Sequence, residues 1–285
     1  MAGTMWVWSK LSATRWEDAW EERFHGNPNA VLTKLKDGRS VRVDVYCEQK
    51  GQAEEIADLF GGSVNRLADK NWVALSTIVG PPIKIRDSLL ITEESKGSGI
   101  RELRRRNPGR TVVSIPPEMA FGTGDHPTTA ACLRFVADEA KARRGERWRM
   151  LDLGCGSGVL AISANLLGAE ECEGLDYDPN AVAVARHNAE RNAAGGVHVK
   201  ETDLLKWTPS RQYEVITANL FADVLQEILP KIRTTLAKGS RLIVSGVLKE
   251  QWEETAAVAV AAGLELSQVR KKGKWVSALG GLAGG

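Results

Sequence analysis

From residue 128 to the C-terminus, the chain alternates helical and extended hydrophobic patterns in nearly strict order. Helices are predicted at 128–143, 159–167, 179–191, 221–237 and 250–262, and strands at 150–153, 172–175, 197–200, 215–218, 241–247, 264–270 and 275–279. Such alternation is typical of a mostly parallel sheet with helices on both faces. Because only residues 271–274 separate the last two strands, these are predicted to form an antiparallel hairpin. We therefore predict an α/β domain with a seven-stranded sheet.

The N-terminal part has a different order of predicted elements. Strands are predicted at 5–11, 30–35, 40–47 and 63–67, and helices at 16–24 and 52–60. This βαββαβ order is that of a ferredoxin-like α+β domain.

The segment that follows is polar and broken by Pro81-Pro82, with an arginine-rich stretch at 96–110. We interpret it as an extended linker with a basic insertion. The predicted organisation is therefore a ferredoxin-like domain at 1–70, a linker at 71–118 and the larger α/β domain at 119–285.

Composition restricts the function classes. The net charge of this 285-residue chain is only +2, so composition does not indicate broad electrostatic binding to nucleic acid. No apolar run approaches the ~18 residues that span a bilayer, and the N-terminus does not match a signal peptide. The four cysteines form no C-x-x-C pair, so we expect reduced thiols, no structural metal and a cytoplasmic protein.

A glycine-rich turn follows the first strand of the α/β domain. Asp152 ends that strand, and Gly154, Gly156 and Gly158 open the next helix. In an open α/β sheet, ligands bind beyond the carboxyl ends of the strands, where the strand order reverses. A turn almost free of side chains at this place is suited to a ligand that contacts the backbone.

The residues around this turn indicate which ligand it binds. Asp176 lies about 20 residues further on, the spacing at which an acid binds ribose hydroxyls. Val159 replaces the third glycine of a dinucleotide fingerprint, and Asp152 would repel a pyrophosphate but suit an ammonium group. S-adenosylmethionine joins adenosine to an amino acid, and we predict it as the cofactor.

Two further strands end in polar residues. Asp203 follows the third strand and Asn219 the fourth, so both are predicted to contact the cofactor. Each is also an ordinary turn or helix-capping residue, and this alternative stays open.

Several motifs carry a family resemblance. They are DLGCGSGVLAI (152–162), GLDYDPNAV (174–182), NAERN (188–192), ANL (218–220) and MAFGTGDHPTTAACL (119–133). The first four resemble the class I, Rossmann-like methyltransferases. The last is similar to the ribosomal protein L11 methyltransferase family of the PrmA type, and the likeness extends over about 115–279. Glu118 and the basic stretch 96–110 depart from the family pattern.

The resemblance implies functional residues. It implies that Thr129, Gly154, Asp176 and Asn219 contact the cofactor, and that the N-terminal domain holds a protein substrate. Thr129 would begin a helix, whose free N–H groups and dipole can receive the methionine carboxylate. Asn219 is predicted to orient the acceptor amine. Asp152, Gly156, Asp203 and Phe121 complete the predicted cofactor site, with Phe121 either covering the cofactor or anchoring its loop.

Three functions compete at this point. The first is S-adenosylmethionine-dependent methylation of lysine or N-terminal amines of ribosomal protein L11. The second is amine methylation of another protein or a small molecule on the same scaffold. The third is a non-catalytic module that binds the ribosome or RNA, which only the arginine-rich stretch favours. We expect a protein substrate, no membrane and no direct nucleic-acid binding.

Overall fold

The structure of the chain is a computed structural model. It describes residues 5–24, 27, 29–35, 38–67, 81–116, 124 and 126–284. The chain divides into two compact units, Met1–Ile78 and Val79–Gly285. Among the described residues, no helix has both the length and the apolar character needed to cross a membrane.

The first unit contains one antiparallel sheet and two helices. Its elements are β1 (Met5–Ala13), α1 (Glu17–Arg23), β2 (Ala30–Lys34), β3 (Ser40–Cys47), α2 (Lys50–Phe60) and β4 (Ser63–Leu67). The strand order is β2-β3-β1-β4, and each neighbouring pair is antiparallel. This is the order of elements that the sequence predicts, and the ferredoxin-like assignment stays a prediction. An aromatic cluster around buried Trp8 forms the core.

The second unit is built on a seven-stranded sheet. Its strands are β8 (Arg149–Leu153), β9 (Glu171–Asp176), β10 (Val197–Glu201), β11 (Tyr213–Asn219), β12 (Leu236–Leu248), β13 (Leu264–Lys272) and β14 (Trp275–Leu282). The order is β10-β9-β8-β11-β12-β14-β13; the first five strands are parallel, and β14 is antiparallel to both neighbours. The predicted α/β sheet and its C-terminal hairpin are confirmed.

Helices cover both faces of this sheet. They are α4 (Pro127–Ala142), α5 (Val159–Leu166), α6 (Pro179–Arg191), α7 (Ala222–Thr235) and α8 (Trp252–Ala261). Alternate strand residues belong to different cores: Met150 packs with α4 and α5, whereas Leu151 packs with α7 and α8. Strand order reverses between β8 and β11, which places a ligand-binding crevice at their carboxyl ends.

The linker prediction was wrong for residues 81–116. This part forms β5 (Ile83–Ile85), β6 (Leu89–Thr92), α3 (Gly97–Arg106) and β7 (Thr111–Ser114) within the second unit. β6 and β7 are parallel, so the arginine-rich stretch is the helical crossover between them. Ile91 and Val113 are buried in the same core as α4. The short apolar runs at 89–91 and 112–113 were the signal for these strands.

Candidate functional site

The turn after β8 has a backbone that requires glycine. Gly154, Gly156 and Gly158 have φ values of 72°, 52° and 79°, in the left-handed region that other residues rarely adopt. The N–H groups of Gly154 and Cys155 both donate to the carbonyl of Leu175, at 2.8 and 3.1 Å. A Cβ on Gly154 would lie 2.4 Å from Leu220 Cδ2. The turn is therefore a compact backbone surface between β8 and α5.

Asp176, the last residue of β9, lies against this turn. Its Oδ2 accepts a hydrogen bond from the N–H of Gly156 at 2.8 Å, and its Oδ1 accepts one from the N–H of Asp178 at 3.1 Å. Each carboxylate oxygen has two lone pairs, so one on each oxygen remains available. Asp178 in turn caps α6 by accepting from the N–H of Asn180. The carboxylate is held in one orientation with acceptor capacity for a diol.

Asp152 lies beneath the turn rather than in the wall of the cleft. It is only 1% exposed, and its Oδ1 accepts a hydrogen bond from Thr217 Oγ1 at 2.6 Å. Its Oδ2 is buried and has no hydrogen-bond partner among the described residues. Burial raises the pKa of Asp152 to about 7, although the Thr217 hydrogen bond acts in the opposite direction.

The start of α4 carries the residues from the HPTT motif. His126 is the N-cap, and its ring Nδ1 accepts from the N–H of Thr128 at 3.4 Å. Its ring centroid lies 5.3 Å from that of Trp275 on β14, in an edge-to-face arrangement. These contacts give His126 a structural role at the helix start. Thr129, in the first turn of α4, is 1% exposed.

Asn219 ends β11 directly opposite the start of α4. Its Nδ2 lies 3.5 Å from Thr129 Oγ1, at the limit of a hydrogen bond. The following residue, Leu220, is held against β12, because its N–H donates to the carbonyl of Ser245 at 3.0 Å. A Cβ on Gly246 would lie 2.4 Å from the Leu220 carbonyl oxygen, so glycine is required for this close approach. The backbone after Asn219 is therefore fixed.

These elements enclose a cleft at the switch point of the sheet. It is lined by Thr129, Gly154, Cys155, Gly156, Val159, Leu160 and Asn219. Four predicted cofactor residues therefore meet in one place, although more than sixty residues separate Asn219 from the glycine turn in the sequence. Asp176 adjoins this group through its hydrogen bond to Gly156. Phe121 lies outside the described residues.

The structure does not bring Asp203 into the lining of the cleft. Its carboxylate accepts from the N–H of Leu205 at 3.0 Å and lies 3.2 Å from Lys206 Nζ. The Lys206 hydrogen bond lowers the pKa of Asp203 below its ordinary value. Asp203 therefore has the hydrogen bonding of an ordinary turn residue, which is the alternative that the sequence analysis left open.

Sequence reasoning missed two buried asparagines near the end of α6, one of which supports the glycine turn. Asn188 is fully buried on α6, and its Nδ2 donates to the carbonyl of Ser157 at 3.1 Å. Asn192 accepts from the N–H of Ser114 at 2.8 Å and donates to the Ser114 carbonyl at 2.7 Å. It thus pairs with the end of β7 as a neighbouring strand would. The sequence signal for these two residues was the pair of asparagines four positions apart in the motif NAERN (188–192).

The site fits S-adenosylmethionine. The glycine turn leaves room for a ligand near the backbone, Asp176 retains acceptors for ribose hydroxyls, and the first turn of α4 adjoins the cleft. Together, the sheet order and this site define a class I, Rossmann-like methyltransferase that uses S-adenosylmethionine.

Comparison with known proteins identifies the family. A family model for ribosomal protein L11 methyltransferase (PrmA) matches residues 29–281. The L11 methyltransferase of Ralstonia pickettii is 34% identical over 266 residues, covering 90% of this chain and 84% of that protein. The enzyme of Cupriavidus metallidurans is 32% identical over 265 residues, covering 90% and 82%. The chain belongs to the ribosomal protein L11 methyltransferase family.

A solved structure supports the fold. The ribosomal protein L11 methylase from Lactobacillus delbrueckii subsp. bulgaricus superposes with a TM-score of 0.59. The match has 22% sequence identity and covers 72% of this chain and all of the other. At this level of sequence identity, the match is evidence for the fold alone.

Proposed function

We propose that the chain transfers methyl groups from S-adenosylmethionine to amines of ribosomal protein L11, on lysine side chains, the N-terminus or both. Membership of the L11 methyltransferase family supports the substrate. The single structural observation that carries the chemistry is the cleft where Thr129, the glycine turn and Asn219 meet. We further propose a cytoplasmic location, because ribosomal proteins are made and assembled there.

In this proposal, the nucleoside is held by the glycine turn and Asp176. The two free lone pairs of the Asp176 carboxylate accept hydrogen bonds from vicinal ribose hydroxyls. The hydrogen bonds from Gly156 and Asp178 prevent the carboxylate from rotating away. Such hydrogen bonds to a charged acceptor contribute about 1.5–3 kcal/mol each.

We propose that the amino-acid end of the cofactor binds at the opposite wall of the cleft, at the start of α4. Thr129 and the N-terminal turn of α4 receive the carboxylate, since a helix N-terminus presents free N–H groups and a positive dipole. Asp152 Oδ2 is buried and lacks a partner among the described residues, so we assign it the role of balancing the charge of the ammonium group when the cofactor is bound. Asp203 is left without a role at the cofactor.

Asn219 is the residue that we propose to bind and orient the acceptor amine. The sulfonium supplies a methyl group with a neutral thioether as its leaving group, so in-line positioning accounts for much of the rate. A lysine with a pKa near 10.4 is neutral in only about 4 of 10,000 molecules at pH 7, a cost of about 4.6 kcal/mol. Asn219 can accept a hydrogen bond from the neutral amine through its Oδ1 or its backbone carbonyl and align the nitrogen lone pair.

Transfer of label tests the proposal. The protein is incubated with methyl-labelled S-adenosylmethionine and ribosomal proteins from a strain that lacks endogenous L11 methylation. Label in L11, and its absence with an Asp176→Ala variant, is the expected result. Label in another protein would replace the substrate assignment, and no transfer to any ribosomal protein would refute it.

A further inference from the structure

Strand β12 contains a β-bulge near its carboxyl end. Val244 pairs with Ala278 on β14, and the next pair along β12 joins Val247 to Val276. β12 therefore holds one residue more than β14 between these pairs. Gly246 lies within this shift of register, and its φ of 84° is in the left-handed region that favours glycine. A β-bulge bends its strand and changes the direction of neighbouring groups, and bulges are frequent beside active sites.

The bulge receives the backbone of Leu220, the residue that follows β11. The N–H of Leu220 donates to the carbonyl of Ser245 at 3.0 Å. A Cβ on Gly246 would lie 2.4 Å from the carbonyl oxygen of Leu220, 2.9 Å from its carbonyl carbon and 3.0 Å from its nitrogen. These are backbone atoms, which cannot rotate aside as the end of a flexible side chain can. Both polar backbone groups of Leu220 are thus held against β12.

The fixed position of Leu220 sets the direction of the backbone carbonyl of Asn219. The peptide bond that joins the two residues is planar and trans, so this carbonyl points opposite to the N–H of Leu220. Because that N–H faces β12, the carbonyl of Asn219 points away from β12, to the side of β8. Strand pairing on that side ends at Ala218, opposite Leu153, and the glycine turn follows Leu153. The carbonyl is therefore directed to the side of the cofactor cleft where the glycine turn lies.

The side chain of Asn219 has a different contact. Its Nδ2 lies 3.5 Å from Thr129 Oγ1, at the wall of the cleft formed by α4. Of the two acceptors that Asn219 offers to an amine, the backbone carbonyl is thus the one whose direction the bulge controls.

We propose that Gly246 is a positioning residue for methyl transfer: by accommodating Leu220 in the bulge, it directs the backbone carbonyl of Asn219 at the acceptor amine. The inference rests on the proposed function, in which Asn219 orients this amine. The carbonyl accepts a hydrogen bond from the neutral amine and holds its lone pair in line with the methyl group. A displacement of about 1 Å in such a group can lower a rate by about 100-fold.

Gly246→Ala tests this role, because the added methyl group forces the backbone of Leu220 out of the bulge. In steady-state methylation of L11, kcat should fall by about tenfold or more. The affinity for S-adenosylhomocysteine, measured by calorimetry, should change by less than about threefold, since the glycine turn and Asp176 are untouched. A general structural defect would lower kcat and cofactor affinity together, and that outcome would overturn the proposal.

Gly239→Ala is the matched control. Gly239 belongs to the same strand and has a similar φ of 72°. In the described part of the chain, no atom beyond its chain neighbours lies within 4 Å of a Cβ placed there. Alanine at this position is strained in the same way but displaces nothing, so kcat should stay near that of the unmodified protein. Equal losses of kcat in Gly246→Ala and Gly239→Ala would contradict the role of the bulge.

A pair of variants at Leu220 tests the same point without a steric clash, and it decides the matter if Gly246→Ala does not fold. Leu220→Ala and Leu220→Gly both remove the side chain that contacts Gly154, but only glycine also frees the backbone. At equal cofactor affinity, kcat of Leu220→Gly should be about threefold below that of Leu220→Ala. The same kcat in both variants would overturn the inference.

The activity of the unmodified protein separates this inference from the proposed function. If it methylates L11 and the variants at Gly246 and Leu220 match their controls, the inference alone fails. If the unmodified protein methylates no ribosomal protein, the proposed function fails, and the positioning role is refuted with it.

Discussion

The carboxylate of Asp176 accepts a hydrogen bond from the backbone N–H of Gly156, with 2.8 Å between Oδ2 and the nitrogen. This bond connects the end of β9 to the turn that follows the adjacent strand β8. Asp176, which we propose to bind the ribose, therefore also supports the glycine turn, which we propose to contact the rest of the nucleoside. Cofactor binding and the shape of the turn are coupled through one side chain.

Asp176→Ala should weaken S-adenosylmethionine binding by about 100-fold, because two hydrogen bonds to a charged acceptor are lost. Isothermal titration calorimetry measures the change. Asp176→Asn retains an acceptor oxygen and should lose less affinity. Near-native thermal unfolding of both variants is the necessary control, and unchanged affinity of Asp176→Ala would refute the ribose assignment.

His126→Ala should retain a substantial methylation rate, within about tenfold of the unmodified protein. The variant loses an N-cap, which typically costs about 1 kcal/mol, but no group that exchanges a proton with the amine. His126→Asn supplies a side chain that caps helices well and should restore stability. Steady-state kinetics decide the matter: a loss of several orders of magnitude in kcat for both variants would identify His126 as a general base.

Asp152 should make folding stability depend on pH. Burial raises its folded pKa to about 7, above its value in the unfolded chain, so the folded state binds this proton more tightly. The resulting stabilisation is complete below the unfolded pKa and is lost as the pH rises through 7. Between pH 5 and 7, Asp152→Asn should therefore gain stability relative to the unmodified protein, by up to about 1.4 kcal/mol per pH unit.

Urea unfolding at several pH values measures this difference in the free energy of unfolding. Asp223→Asn, at an exposed position in the first turn of α7, is a suitable control for a surface carboxylate. A difference between Asp152→Asn and the unmodified protein that does not vary with pH would contradict the raised pKa.

Asn192→Ala should destabilise the second unit by about 2–4 kcal/mol. The substitution removes the amide that pairs with both backbone groups of buried Ser114 and leaves those groups without partners. Asn180→Ala, at an exposed position near the start of the same helix, should change stability much less. Denaturant unfolding compares the two, and equal losses would show that the Asn192 pairing contributes little.

Local patterns predicted much of the large domain. The helix at 179–191 has the bounds predicted from Asp178 and Pro179, because an N-cap followed by proline specifies a helix start within a few residues. Residues 81–116 were not recognised, because three-residue and four-residue strands carry little periodic signal. The sequence analysis predicted Asp203 at the cofactor because it follows a strand. In the structure, its carboxylate instead accepts a hydrogen bond from the N–H of Leu205 within the same turn.

The sequence by itself determined the class of fold, the glycine turn and the acid that follows it, since these depend on hydrophobic periodicity and on backbone conformations that only glycine readily adopts. Tertiary structure alone decided which residues meet. Thr129 lies beside Asn219 because β11 and α4 adjoin, and Asn192 reaches Ser114 across 78 positions of the chain. Such contacts depend on strand order and packing, which no local pattern encodes.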